Sequence, residues 1–116
     1  NPRLPLIDRQ FIAKNFARHQ DLYHRMLNKF AERFADLVID DEDSDALMQM
    51  AHNFKGTAGN LGFKRLAEAS AELEAACKFG AEARPKLITF KAVLSETLQT
   101  IDAFEWTSVS TQRQQE

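Results

Sequence analysis

From residue 7 to residue 107 the apolar side chains recur every three or four positions, the spacing of one helix face. Nowhere do they alternate for a useful length as a strand would. The chain has only four glycines and three prolines, and Gly62, Gly80 and Pro85 fall where periodic segments end or begin. Asp8 suits an N-cap, and the short helix after it places Phe11, Ile12 and Phe16 on one side. A second helix is expected over about 18–39. There Leu22, Met26, Phe30, Phe34 and Val38 step by four, flanked by Leu27 and Leu37. A third, Ser44 to Leu61, turns Leu47, Met50, Phe54, Ala58 and Leu61 inward and stops at Gly62 in the left-handed conformation. A fourth, about 63–79, carries Leu66, Ala69, Leu73 and Ala76 inward. The fifth has Pro85 in its first turn and an inward stripe of Leu87, Leu94, Leu98, Ile101 and Phe104. Short connections between long amphipathic helices imply antiparallel neighbours. The expected fold is therefore all-α, an antiparallel up-down four-helix bundle over 6–106 with a short extra N-terminal helix as a lid. Trp106 would cap the bundle, and the polar stretch 107–116 would be a flexible tail.

Charge and cysteine content narrow the function classes. Fifteen Lys and Arg against 17 Asp and Glu give a net charge of -2, with no local basic run, so a nucleic-acid footprint is absent. No apolar run approaches the roughly 20 residues of a membrane span, and no signal peptide opens the chain. Cys77 is the sole cysteine, which excludes a disulfide framework and a thiolate zinc site and suits a small core residue. His19 and His24 lie about 140° apart around a helix, and neither has a Cys, Asp or Glu at ligand spacing. Both read as surface residues, and no metal site is expected. The acidic run 40–45 lacks the Gly turn and closing Glu of a calcium loop. It reads as a solvated connection that puts negative charge at the start of the third helix, where the helix dipole favours it.

The segment AHNFKGTAGNLG, residues 51–62, does not fit a purely structural helix. At about 100° per residue, His52 points away from the inward stripe. Gly56 lies about 40° round from it, Gly59 about 20° round, and Lys55 about 60° to the other side. The outward face therefore presents an imidazole, an ammonium and two bare stretches of backbone. Each interior glycine costs ~0.8–1 kcal/mol relative to alanine. Such glycines serve either close helix packing or the close approach of something bulky to the histidine. Lys55 can fold back toward the ring, which suits an imidazole that acquires a dianionic phosphoryl group.

These residues resemble a known family. Ala51-His52-Asn53-Phe54-Lys55-Gly56, with Gly62 beyond and Leu73-Glu74 on the next helix, is similar to the A-H-x-L-K-G … L-G … L-E pattern of histidine-containing phosphotransfer (HPt) domains. The Ile7-Asp8 entry, the Phe-rich second helix and the acidic turn extend the resemblance over about 6–105. Phe54 stands where the family usually has Leu, and Asn53 where Thr is frequent. The resemblance implies that His52 accepts the phosphoryl group through its solvent-facing ring nitrogen and that Lys55 neutralises phosphoryl oxygens. Gly56 and Gly59 would clear space for a partner. Glu74, where some members carry a Gln, would orient the imidazole. By projection Met48 and Phe63 flank His52 on nearly the same face, and would either add apolar docking surface or pack against neighbouring helices.

Such a domain is a phosphoryl carrier and not an enzyme on its own. The sequence holds no phosphate-cradling Gly-rich loop, nucleotide site or acidic triad, so Mg²⁺ would come with a partner receiver domain. The implied partners are the receiver domains of a hybrid sensor histidine kinase and of a response regulator. The implied setting is the C-terminal module of a bacterial hybrid kinase, in the cytoplasm or tethered to the inner membrane through the parent kinase. A non-catalytic helical interaction module is the alternative. A metal- or haem-binding bundle ranks last, because no helix offers inward Glu-x-x-His pairs.

Overall fold

The computed structural model describes residues 5–39, 43–80 and 82–104. Its elements are α1 (Arg9–Phe16), α2 (Gln20–Phe34), α3 (Ser44–Leu61), α4 (Lys64–Lys78) and α5 (Arg84–Asp102), and no strand occurs among the described residues. Trp106, the 107–116 tail and the acidic residues 40–42 lie outside them.

The helix starts follow from their caps. The Asp8 side chain accepts from the Phe11 N–H, and the Asp43 side chain accepts from Asp45 and Ala46, which satisfies donors that a helix N-terminus leaves unpaired. Pro85 stands in the first turn of α5, where its missing N–H has no helical partner to lose. The end of α3 is a Schellman turn. Gly62 takes φ +80°, Phe63 N–H donates to the Ala58 carbonyl at 2.9 Å and Gly62 N–H to that of Gly59 at 3.4 Å.

α3 packs most extensively on α4, α4 packs on α5, and α2 lies against both α3 and α5. Phe30, Phe54 and Phe90 stack edge to face through the middle of this core, with Phe34 tilted against Phe54. α1 closes one end: Asp8 N–H donates to the Gly62 carbonyl, and Lys64 pairs with the Asp8 carboxylate at 3.0 Å. The end of α3 is thus clamped between the chain's N-terminal segment and α2.

α2 departs from its expected register. Its buried residues are Tyr23, Leu27 and Phe30, whereas Leu22 is exposed and Val38 is 90% exposed. The stripe is rotated because Tyr23, a residue with a polar tip, is fully buried. Its hydroxyl donates to the Leu61 carbonyl at 2.7 Å, and its ring packs on Phe16 and Phe104. Burial raises the Tyr23 hydroxyl above its ordinary range, so it acts as a permanent donor. α2 also stops at Phe34, short of the expected residue 39. The β-branched pair Val38-Ile39 and the acid that follows are poor continuations at a helix C-terminus, where the dipole disfavours negative charge.

In α3, Ala51 is fully buried beside the expected Leu47, Phe54, Ala58 and Leu61, while Met50 is half-buried. α4 buries Leu66, Ala69, Leu73 and Ala76 as expected. α5 centres on Phe90, Val93 and Thr97 as well as Leu87, Leu94 and Ile101, with Leu98 and Phe104 partly exposed. Cys77 is partly buried against the core, and that burial pushes its thiol up. No described helix is long and apolar enough to cross a membrane.

Candidate functional site

Ala51, Phe54 and Ala58 bury the inner face of α3, which fixes the opposite face outward and puts His52 there with 58% of its side chain exposed. α4 returns alongside α3 after the Gly62-Phe63 turn and brings Glu74 level with the ring. His52 Nδ1 lies 2.7 Å from Glu74 Oε2, and Lys55 Nζ donates to Glu74 Oε1 at 2.7 Å. One carboxylate therefore joins the imidazole and the ammonium. Glu74 is far less exposed than either partner, at 19% against 58% for His52 and 42% for Lys55.

The hydrogen bonds from Lys55 and then from His52 hold the Glu74 carboxyl below its ordinary range, so it is ionised at neutral pH. An ionised carboxylate only accepts. The hydrogen between the two must then reside on Nδ1, and in the neutral ring Nε2 carries the lone pair. Among the described residues Nε2 takes no hydrogen bond. Glu74 thereby sets the tautomer and orientation of an exposed imidazole and leaves one nitrogen available as a nucleophile.

Two glycines open the His52 face of the helix. A Cβ at Gly56 or at Gly59 would meet no atom within 4 Å, so neither glycine serves packing inside this chain. Between α2 and α3 runs an open groove of about 730 Å³, lined by Arg33, Phe34, Met50, His52, Gly56 and Thr57 among others. Arg33 lies over the Phe34 ring at 5.1 Å. Its place in the groove that His52 also lines was not legible from spacing, because it depends on the register of α2 against α3.

The sequence-derived site residues do not all converge. His52, Lys55 and Glu74 form one hydrogen-bonded cluster, with Gly56 and Gly59 on the same open face. Lys55 was expected to reach the imidazole, and instead its ammonium bonds the carboxylate that holds the ring. Met48 is half-buried one turn before His52. Phe63 is corrected outright as docking surface: it is fully buried, edge-on to Phe30 at 5.3 Å. Helical projection carried it onto the His52 face, but α3 ends at Leu61 and the left-handed Gly62 redirects the chain. His24 packs on Phe104, and His19 is exposed at the start of α2 without a side-chain cap bond.

This helical domain thus holds an exposed histidine by a carboxylate on a helix face opened by two glycines. The Hpt domain family model matches residues 10–104, and the chain belongs to that family. Hpt domains are phosphocarriers that interact with receiver domains in two-component phosphorelays. No curated protein and no solved structure matches the chain.

Proposed function

We propose that this chain accepts a phosphoryl group on Nε2 of His52 from the aspartyl phosphate of one receiver domain and passes it to the aspartate of another. The observation that carries this reading is the His52–Glu74 pair at 2.7 Å, which leaves Nε2 unpartnered on a face cleared by Gly56 and Gly59. α2 to α5 act as an antiparallel up-down four-helix bundle with α1 across one end. That arrangement is supported by the short Gly62-Phe63 connection and by the cross-helix pairs Lys55–Glu74, Arg65–Glu96 and Lys86–Glu72.

In the forward step Nε2 attacks phosphorus in line, and the bond to the receiver's carboxylate oxygen breaks with its electron pair leaving on that carboxylate. Lys55, half-exposed on a flexible stem, shifts from Glu74 toward the arriving oxygens and offsets their charge. Gly56 and Gly59 admit the partner's backbone close enough for that alignment. Mg²⁺ held by the receiver supplies the remaining neutralisation, so this chain is a carrier that brings no cofactor of its own. Its place is the C-terminal module of a hybrid sensor kinase, on the cytoplasmic side, with the kinase's own receiver and a response regulator as partners.

The test incubates the chain with a phosphorylated receiver and Mg²⁺, comparing wild type with His52→Gln. Acid-labile, alkali-stable label on wild type alone is the expected result. A folded wild type that several receivers fail to label would overturn the reading and leave a helical interaction module without phosphoryl chemistry.

A further inference from the structure

We propose, resting on the phosphotransfer reading above, that Lys29 and Arg33 of α2 form a cationic docking strip. The strip selects receiver domains whose docking surface is acidic and sets how they lie across His52.

The strip follows from the register of α2. With Tyr23, Leu27 and Phe30 buried, helical projection gathers Leu22, Met26, Lys29 and Arg33 within about 60° on one flank. That flank adjoins α3, because Arg33 lines the groove that His52 also lines. Lys29, Arg33 and Leu22 are exposed, and Leu37, just past the helix, adds an exposed apolar side chain to the groove. The charges on this flank set α2 apart. Lys55, Lys64, Arg65 and Lys86 each pair with a carboxylate of this chain. Lys29 and Arg33 pair with none among the described residues, and Arg33 lies over the Phe34 ring instead. Glu32 and Asp36, each three residues beyond one of these cations, form no ion pair with them and only soften their field.

The facing wall supplies no counter-charge. No Asp or Glu lines the groove; along α3 Gln49 and Asn53 bond each other, and Gly56, Thr57 and Asn60 continue the wall. The Lys55 ammonium is taken up by Glu74. Acid enters only at one end, where the run 40–45 stops directly before Ala46, the first α3 residue of the groove. A partner that carries carboxylates gains by laying them along Lys29 and Arg33 and loses by turning them toward that run. A basic partner surface is repelled by α2. Charge thereby sets both partner choice and orientation, while Leu22 and Leu37 offer apolar contact at either end of the strip. An anionic membrane fits less well. Even with Arg25, α2 has three cations, fewer than the roughly four to eight of a lipid-binding cluster.

The experiment measures binding of the full chain to a panel of receiver domains with acidic or basic surfaces, each with Mg²⁺, and follows label on His52 in parallel. Salt is raised from about 0.1 to 1 M, which shortens the screening length from about 10 to 3 Å. Acidic receivers are expected to bind roughly tenfold more tightly at the lower salt, and that preference should vanish at the higher. Lys29→Glu with Arg33→Glu should reverse it. A wild type without the preference, or a folded double variant that keeps it, would overturn the proposal. If the double variant loses its helical circular dichroism, wild type decides, and a preference that persists at the higher salt overturns the proposal equally. Charge-selective binding without label on His52 upholds the strip and defeats the phosphorelay reading alone; label without charge selection does the reverse. Failure to bind any receiver overturns the strip, and capture by phosphatidylserine vesicles in that case makes α2 a membrane surface.

Discussion

Gly56, Gly59 and Gly62 follow one another at three-residue intervals, yet they meet opposite surroundings. A Cβ on Gly62 would stand 2.9 Å from Phe11 and 3.3 Å from Ile12, and its φ of +80° already disfavours any other residue. A Cβ on Gly56 or Gly59 would touch nothing. Gly62 is required by this chain's own fold, at the point where α1 seats on the turn between α3 and α4. The other two lower the helix's stability with no packing return inside the chain. What distinguishes them is the company of His52, and under the proposed function their open face is room for a partner.

That contrast can be broken most forcefully at Gly62. Replacing it with Ala is expected to destabilise the domain by about 2–4 kcal/mol, from left-handed strain and overpacking against Phe11. The fraction that remains folded should accept phosphoryl groups at the wild-type rate, and denaturant titration with parallel labelling separates the two. Gly56→Ala with Gly59→Ala should do the reverse. Stability is expected to rise by roughly 1–2 kcal/mol, while transfer from a receiver falls roughly ten- to a hundredfold through misalignment. Labelling of that variant by phosphoramidate should be unchanged, because so small a donor needs no cleared face. A variant that is more stable and equally fast with receivers would show that the open glycines serve no partner.

The smallest expected effect is on acid stability, and it touches both regions at once. Glu74 is held low by Lys55 and His52. For Asp8, partial burial works upward but is outweighed by the Phe11 N–H and by Lys64. Carboxyls lowered on folding stabilise the fold above their unfolded range, near pH 4, and lose that contribution as pH falls through the lower folded values. Unfolding free energy should therefore be flat in this respect above about pH 5 and decline below 4. Asp8→Asn should lessen that decline while the His52 site keeps its geometry.

How much of this was legible in sequence depends on how local each determinant is. The α3 boundaries, the Asp8 cap, the left-handed Gly62 and the outward aim of His52 all follow from residues within a turn or two of each other, and the structure has them as read. The register of α2 did not follow. Tyr23 can be buried only because the Leu61 carbonyl, 38 residues away, accepts its hydroxyl, and no helical period encodes that partner. Phe63 misled for a related reason, since a projection angle has meaning only while the helix continues. The site itself divides in the same way. Lys55 and the glycines sit on the helix of His52 and could be placed by spacing. The Glu74 contact needed the resemblance to suggest it, and its geometry needed the packing of α4 on α3. Arg33 carried no signal of its own.

The proposed function rests on a single nitrogen, Nε2 of His52, and mapping the phosphoryl group after transfer from a phosphorylated receiver tests it most directly. Phosphorus–proton NMR together with peptide sequencing by mass spectrometry reads both the residue and the ring position. The expected result is phosphoryl on Nε2 of His52, with His19 and His24 unlabelled. Phosphoryl on Nδ1 of His52, or on any other residue, would contradict it.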